Sequence, residues 1–215
     1  MAPKLITEAV GTFFLVLTIG LTGVVGPGLG PFAVAAVLTG MIYMGGHVSA
    51  AHYNPAVTLA FWLRRAMPAR EVGPYVAVQL AGAVAGAAVA LAISGDVLQV
   101  RPAPETSAGV FFLIEAVFTF ALVLVIMNVG TASGTAGNGF YGAAIGLVVL
   151  GGALVAGPVS GGAFNPAVAL GPAAVDAVVG DGASLAGLWV YLAATPVGAA
   201  LAVAAFRGMN PGETP

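Results

Sequence analysis

"SAAHYNPAVTLA", Ser49–Ala60, returns 111 positions later as "SGGAFNPAVALG", Ser160–Gly171. Asn-Pro alone is an ordinary way to open a helix, because Asn caps the N-terminus and Pro suits the first helical position. In each copy only about ten apolar residues follow before charge or Pro/Gly resumes, at Arg64 in the first and near Pro172 in the second. A helix needs about 20 apolar residues to cross a hydrocarbon core of roughly 30 Å. Each copy therefore predicts a half-length helix, and the rest of the chain says in which solvent.

Of 215 residues, 60% are hydrophobic and 7% charged, with a mean hydropathy of +1.05. Soluble domains carry about 25% charged residues, so the chain is expected to be an integral, multi-pass membrane protein. Six apolar stretches are long enough to be spans: 5–25, 32–46, 72–93, 110–129, 140–156 and 185–206. Gly/Pro-marked breaks such as "GPGLGP", Gly26–Pro31, and "TASGTAGN", Thr131–Asn138, separate them as loops. Lys4 before the first stretch looks like the start of a signal peptide. The run is longer than a signal core and contains Glu8, which predicts a retained span.

The spans repeat as well as the motifs. "EAVGTFFLVL" from Glu8 echoes "EAVFTFALVL" from Glu115, and "QLAGAVAGAAVA" from Gln79 echoes "YLAATPVGAALA" from Tyr191. Three matches keep their order at offsets of 107, 111 and 112, which marks a duplication with repeats at 1–95 and 108–207 inside one membrane domain, 1–215. Three spans is an odd number, so the second repeat enters the membrane from the opposite side. The fold class expected is an all-α membrane protein of six transmembrane helices and two re-entrant half-helices, an inverted 3+3 repeat. With the N-terminus inside, Lys4, Arg64, Arg65, Arg70 and Arg207 lie inside and only Arg101 outside. That asymmetry predicts cytoplasmic termini in a plasma or inner membrane.

Half-helices entering from opposite faces meet with their N-termini near the midplane. Non-helical backbone is tolerated at that depth only when buried in protein or lining a watery cavity. Ala50, Ala51, His52 and Tyr53, with Gly161, Gly162, Ala163 and Phe164, are then expected to line the path with carbonyls. Asn54 and Asn165 offer N–H donors where they meet, and the two positive helix ends disfavour cations there.

On these twin motifs and the inverted repeat, the chain resembles the aquaporin, or major intrinsic protein, family over nearly its whole length. The resemblance implies a passive pore in each monomer of a homotetramer in a lipid bilayer. Water and small neutral solutes are the implied partners, with no cofactor. It places Asn54, Pro55, Ala56, Asn165, Pro166 and Ala167 at the pore centre and gives Glu8 and Glu115 the task of supporting the loops. Proton relay through these two carboxyls is the alternative. By the same resemblance His52 lends its carbonyl to the path and packs its ring behind the loop.

The chain departs from the family at the outer constriction. Most relatives carry Arg directly after the second Asn-Pro-Ala, where this chain has Val168; gapless alignment from the motifs places Val34, Ala153 and Gly162 beside it. Such a filter has no side-chain donor and little bulk. It predicts passage of polyols, urea and undissociated metalloid acids such as arsenous or boric acid, with water as co-permeant. A water-selective aquaporin and a proton-coupled transporter are the competing readings. A structural membrane protein is a third.

No Cys is present and no Ser/His/Asp set, paired carboxylates or phosphate loop emerges, so no enzyme is expected. The formal charge of −2, without a basic stripe, predicts no nucleic-acid partner. His47 and His52 lack the nearby ligands of a metal site. His47 stays a candidate pH sensor because imidazole titrates near neutrality. Gly82, Gly86, Gly142 and Gly146 are read as helix-packing residues, and Trp62, Trp189 and Tyr191 as interfacial aromatics.

Overall fold

The computed structural model describes residues 1–25 and 28–213; Gly26 and Pro27 of the first loop lie outside the described residues. Among the described residues, six helices are long and apolar enough to cross a membrane: α1 (Ala2–Gly20), α2 (Gly30–Ser49), α4 (Ala69–Ser94), α5 (Ala108–Thr131), α6 (Tyr141–Ser160) and α8 (Leu185–Met209). Two shorter helices, α3 (Pro55–Leu63) and α7 (Pro166–Val179), start at the Asn-Pro motifs. The first span stops at Gly20, five residues before the end expected from hydropathy. The Thr22 hydroxyl turns back to the Ile19 carbonyl at 2.8 Å and the chain continues as a 3₁₀ turn over Thr22–Val25.

The helices pair in the same way when the halves are exchanged. α1 packs on α4 as α5 packs on α8, α1 touches α2 as α5 touches α6, and α4 meets α7 as α8 meets α3, while α2 and α6 face each other. Both halves contribute to one continuous apolar cluster. Close helix contact depends on glycine. A Cβ on Gly82 would drive into the Ala9 carbonyl of α1, and one on Gly198 into the Ala116 carbonyl of α5.

These two contacts revise the register of the duplication. Ala9 and Ala116 are 107 apart, but Gly82 and Gly198 are 116 apart, one helical turn beyond the sequence echo of 112. Tyr75 and Tyr191, also 116 apart, donate their hydroxyls to the equivalent carbonyls of Ser49 and Ser160. The cause is the second half-helix, which has 14 residues against 9 in the first, five more. It runs through Pro172, where the sequence suggested it would stop. Its last turn is held by Asp176, which accepts the Ser184 N–H at 2.9 Å and a Gln99 amide N–H at 3.1 Å.

At the end of the bundle that carries α3, Arg64 donates to the Thr131 carbonyl at 3.2 Å, pairs with Glu213 at 3.3 Å and lies over the Phe206 ring. Hydrogen bonds from Ser133, aided by Arg64, hold the Glu213 carboxyl below the usual glutamate range. The contribution of a carboxyl lowered in this way is complete above that range and is lost as pH falls through the folded-state value. A Glu213→Gln variant should therefore lose part of the acid-side decline in thermal midpoint shown by the wild type in detergent. Gly198→Leu should destabilise the bundle by at least about 1–3 kcal/mol through overpacking against backbone. Thermal unfolding in detergent checks this, with Gly208→Ala, whose Cβ meets nothing within 4 Å, as the neutral comparison.

Candidate functional site

The two loops that precede α3 and α7 share one backbone pattern. Ala50, Ala51 and Tyr53 have φ of 67°, 50° and 49°, and Gly161, Gly162 and Phe164 have 82°, 62° and 49°. Left-handed backbone costs a non-glycine residue about 1–2 kcal/mol, so the first loop, built on alanines, is the more strained. What holds both is a buried glutamate side chain. Glu8 accepts the backbone N–H groups of His52 and Tyr53 at 2.9 and 2.7 Å and the Ser49 hydroxyl at 2.6 Å. Glu115 accepts those of Ala163 and Phe164 at 3.1 and 2.8 Å and the Ser160 hydroxyl at 2.6 Å. Both glutamates are fully buried, and each accepts two backbone N–H groups from one loop.

The motif asparagines cap helices and join the halves at once. The Asn54 Oδ1 accepts the Ala56 N–H at 2.8 Å and the Asn165 Oδ1 the Ala167 N–H at 2.9 Å. Their amide nitrogens cross over: Asn54 donates to the Phe164 carbonyl and Asn165 to the Tyr53 carbonyl, each at 2.9 Å. An amide NH₂ has two N–H groups, so each keeps one for the cavity that both asparagines line. With α3 and α7 abutting through their first residues, two positive helix ends converge at this place.

That cavity has a volume of about 220 Å³. Along it lie both loops, residues 50–54 and 161–165, with their N–H groups turned back toward the glutamates. Val34, Ala153, Gly162 and Val168, the four positions expected from the sequence to form an outer constriction, all line this one cavity. Leu15, Leu38, Leu122, Ile126 and Val149 add aliphatic side chains to the lining. The motif prolines Pro55 and Pro166 begin the half-helices, and Ala56 and Ala167 are buried behind the asparagines.

The first half carries a polar set that the second lacks. Gln79 donates to Glu8 at 2.8 Å and to the Thr58 hydroxyl at 3.0 Å, and the His52 Nδ1 lies 3.1 Å from that hydroxyl. The His52 ring is buried between Phe61 and Tyr75. The positions equivalent to His52 and Thr58 are Ala163 and Ala169. His47 is exposed near the end of α2, away from the cavity lining. Tyr191, expected at the interface, is instead fully buried with its hydroxyl on the Ser160 carbonyl, while Trp62 and Trp189 are exposed. Sequence reading did not assign Ser49, Ser160, Gln79, Thr58, Tyr75 or Tyr191 to the site. The only signal was the Ser opening each quoted stretch.

The family model for major intrinsic proteins matches residues 1–206. The chain belongs to the major intrinsic protein family. It is 37% identical over 207 residues to nodulin-26 of Glycine max, a match covering 91% of this chain and 73% of that one. It is 36% identical over 217 residues to glycerol uptake facilitator protein-like 6 of Lactiplantibacillus plantarum, covering 96% and 98%. The X-ray structure of the aquaglyceroporin from Plasmodium falciparum superposes with a TM-score of 0.83 over 94% of both chains, at 21% identity, and so shares the fold. Like other major intrinsic proteins, the chain is a multi-pass membrane channel for small solutes and not an enzyme.

The glutamate geometry makes a prediction that separates loop support from proton relay. Glu115→Gln turns an acceptor into an N–H donor facing the donors of its loop, which should cost about 1–3 kcal/mol per group left unpaired. The thermal midpoint in detergent should fall, while solute flux into liposomes stays insensitive to an imposed proton gradient in wild type and variant alike. A gradient-driven accumulation lost in the variant would instead identify a relay.

Proposed function

We propose that the cavity is a passive pore for small uncharged solutes: polyols, urea and undissociated metalloid acids such as arsenous or boric acid, with water as co-permeant. The observation that carries this reading is the make-up of the filter positions. Val34, Ala153, Gly162 and Val168 present neither charge nor side-chain donor to the cavity they line. In aquaporin-type pores selectivity comes down to diameter and the hydrogen-bonding groups on the wall. A solute here meets backbone carbonyls from residues 50–53 and 161–164 on one side and aliphatic side chains on the other. Hydroxyl and amide donors suit the first side and a carbon skeleton suits the second. The relative described as a glycerol uptake facilitator protein favours the same substrate class.

Asn54 and Asn165 orient the permeant at the midpoint with their remaining N–H groups, and the two helix dipoles oppose cations. Glu8 and Glu115 act as loop supports. Clustering of Lys4, Arg64, Arg65, Arg70 and Arg207 on one side, with Arg101 on the other, supports cytoplasmic termini. We take the assembly to be a homotetramer in the plasma or inner membrane, in keeping with the family resemblance.

Stopped-flow swelling of proteoliposomes tests the reading. Wild type should admit glycerol, urea and arsenous acid as well as water. Val168→Arg should lower glycerol entry by about tenfold or more while sparing water, because a bulky cation narrows the wall. Fast water flux in the wild type with all three solutes at background would refute it.

A further inference from the structure

The four filter positions are joined along the cavity by a residue from the segment that connects the two halves. Residues 95–107 form no regular element, yet they are tied down at both ends. Gln99 donates to the Oδ1 atoms of Asp176 and Asp181 at 3.1 and 2.7 Å. Farther along, the Ala103 N–H and the Thr106 hydroxyl both donate to the Val159 carbonyl, at 3.0 and 2.9 Å. Between these tethers the backbone O and N of Arg101 lie 3.1 and 3.3 Å from where a Cβ on Gly161 would stand. A glycine there, at φ 82°, is what lets the connecting segment seat against the second loop.

Val100 sits in the middle of this tethered stretch. It is buried at 6% exposure, belongs to the apolar cluster, and lines the same cavity as Val34, Gly162 and Val168. Its neighbour Arg101 is exposed and takes no part in the lining. The segment thus turns one aliphatic side chain inward and keeps its charge outside.

We propose that Val100 is a fifth selectivity-determining residue, an apolar wall supplied by the inter-repeat connection at the Gly161 end of the pore. Without a cation at position 168, no charged side chain sets the width and wetness of this end, and Val100 adds to its aliphatic lining from the connection between the halves. It offers a passing solute no hydrogen bond, so a permeant sheds water on that face without replacement. That favours molecules with a carbon face over fully hydrated ones of equal size. The inference rests on the channel reading of this cavity, but not on which solute passes.

The chain has no Cys, so Val100→Cys introduces its one thiol. The full-length variant, reconstituted in liposomes, is treated with a bulky methanethiosulfonate reagent, and the extent of reaction is read by mass. Flux of whichever permeant the wild type conducts, water or glycerol, should fall by about tenfold or more as the lumen is obstructed, and recover on reduction. Arg101→Cys, modified to the same extent, should stay within about twofold of its untreated rate. Complete modification at position 100 with unchanged flux would overturn the proposal. If the introduced thiol does not react, Val100→Trp decides: glycerol entry reduced by about tenfold or more supports the wall, and wild-type rates for glycerol and water overturn it. A wild type that passes water but no glycerol sinks the solute reading alone, because the reaction at position 100 still reports through water.

Discussion

Backbone that leaves helical geometry halfway through a bilayer needs partners for its N–H groups, and here one glutamate side chain behind each loop supplies them. Glu8 binds the N–H groups of His52 and Tyr53, and Glu115 those of Ala163 and Phe164. Hydrogen bonds to these carboxyl oxygens keep the loop N–H groups from being buried unpaired, which offsets the left-handed conformations of Ala50, Ala51, Tyr53 and Phe164. With its N–H groups engaged by the glutamate, each loop lies along the cavity without leaving those donors unpaired.

The same economy joins the halves. The Asn54 and Asn165 amides bond across to the carbonyls of Phe164 and Tyr53, so the residue that caps one half-helix also fixes the other half's loop. Around this centre the helices pack in matching pairs, and they come close enough because Gly82 and Gly198 leave room for the carbonyls of Ala9 and Ala116. The match is not strict. Five extra residues in the second half-helix slide the last span by a turn, and the His52–Thr58–Gln79 set exists only in the first half. The cavity lining carries the remaining asymmetry: residues of both loops share it with aliphatic side chains, Val168 among them.

Much of this was legible in the chain itself. Composition selected the bilayer as solvent, the duplicated Asn-Pro-Ala-Val and two glutamates in equivalent spans led to the inverted repeat, and the shortness of the runs after Asn54 and Asn165 revealed half-helices. Those features are local or periodic, and local rules read them. Helix ends and the register of the last repeat match were less legible. A small-residue pattern recurs every four positions along α4 and α8, so a slip of one turn reproduces it almost as well as the true pairing.

The twin Asn-Pro-Ala-Val motifs, the inverted repeat and the valine at position 168 were determined by sequence alone, because each is a statement about identity and order along the chain. Tertiary structure decided which hydroxyls and amides stand behind the loops, that Tyr191 is buried on the Ser160 carbonyl, and that Val100 reaches the cavity. Those placements depend on segments far apart in sequence: Tyr191 is 31 residues from its acceptor, and Val100 is held through Gln99 by a side chain 77 residues beyond it. No local propensity encodes such a distance. It exists only once six helices have packed and brought the connecting segment down onto Gly161.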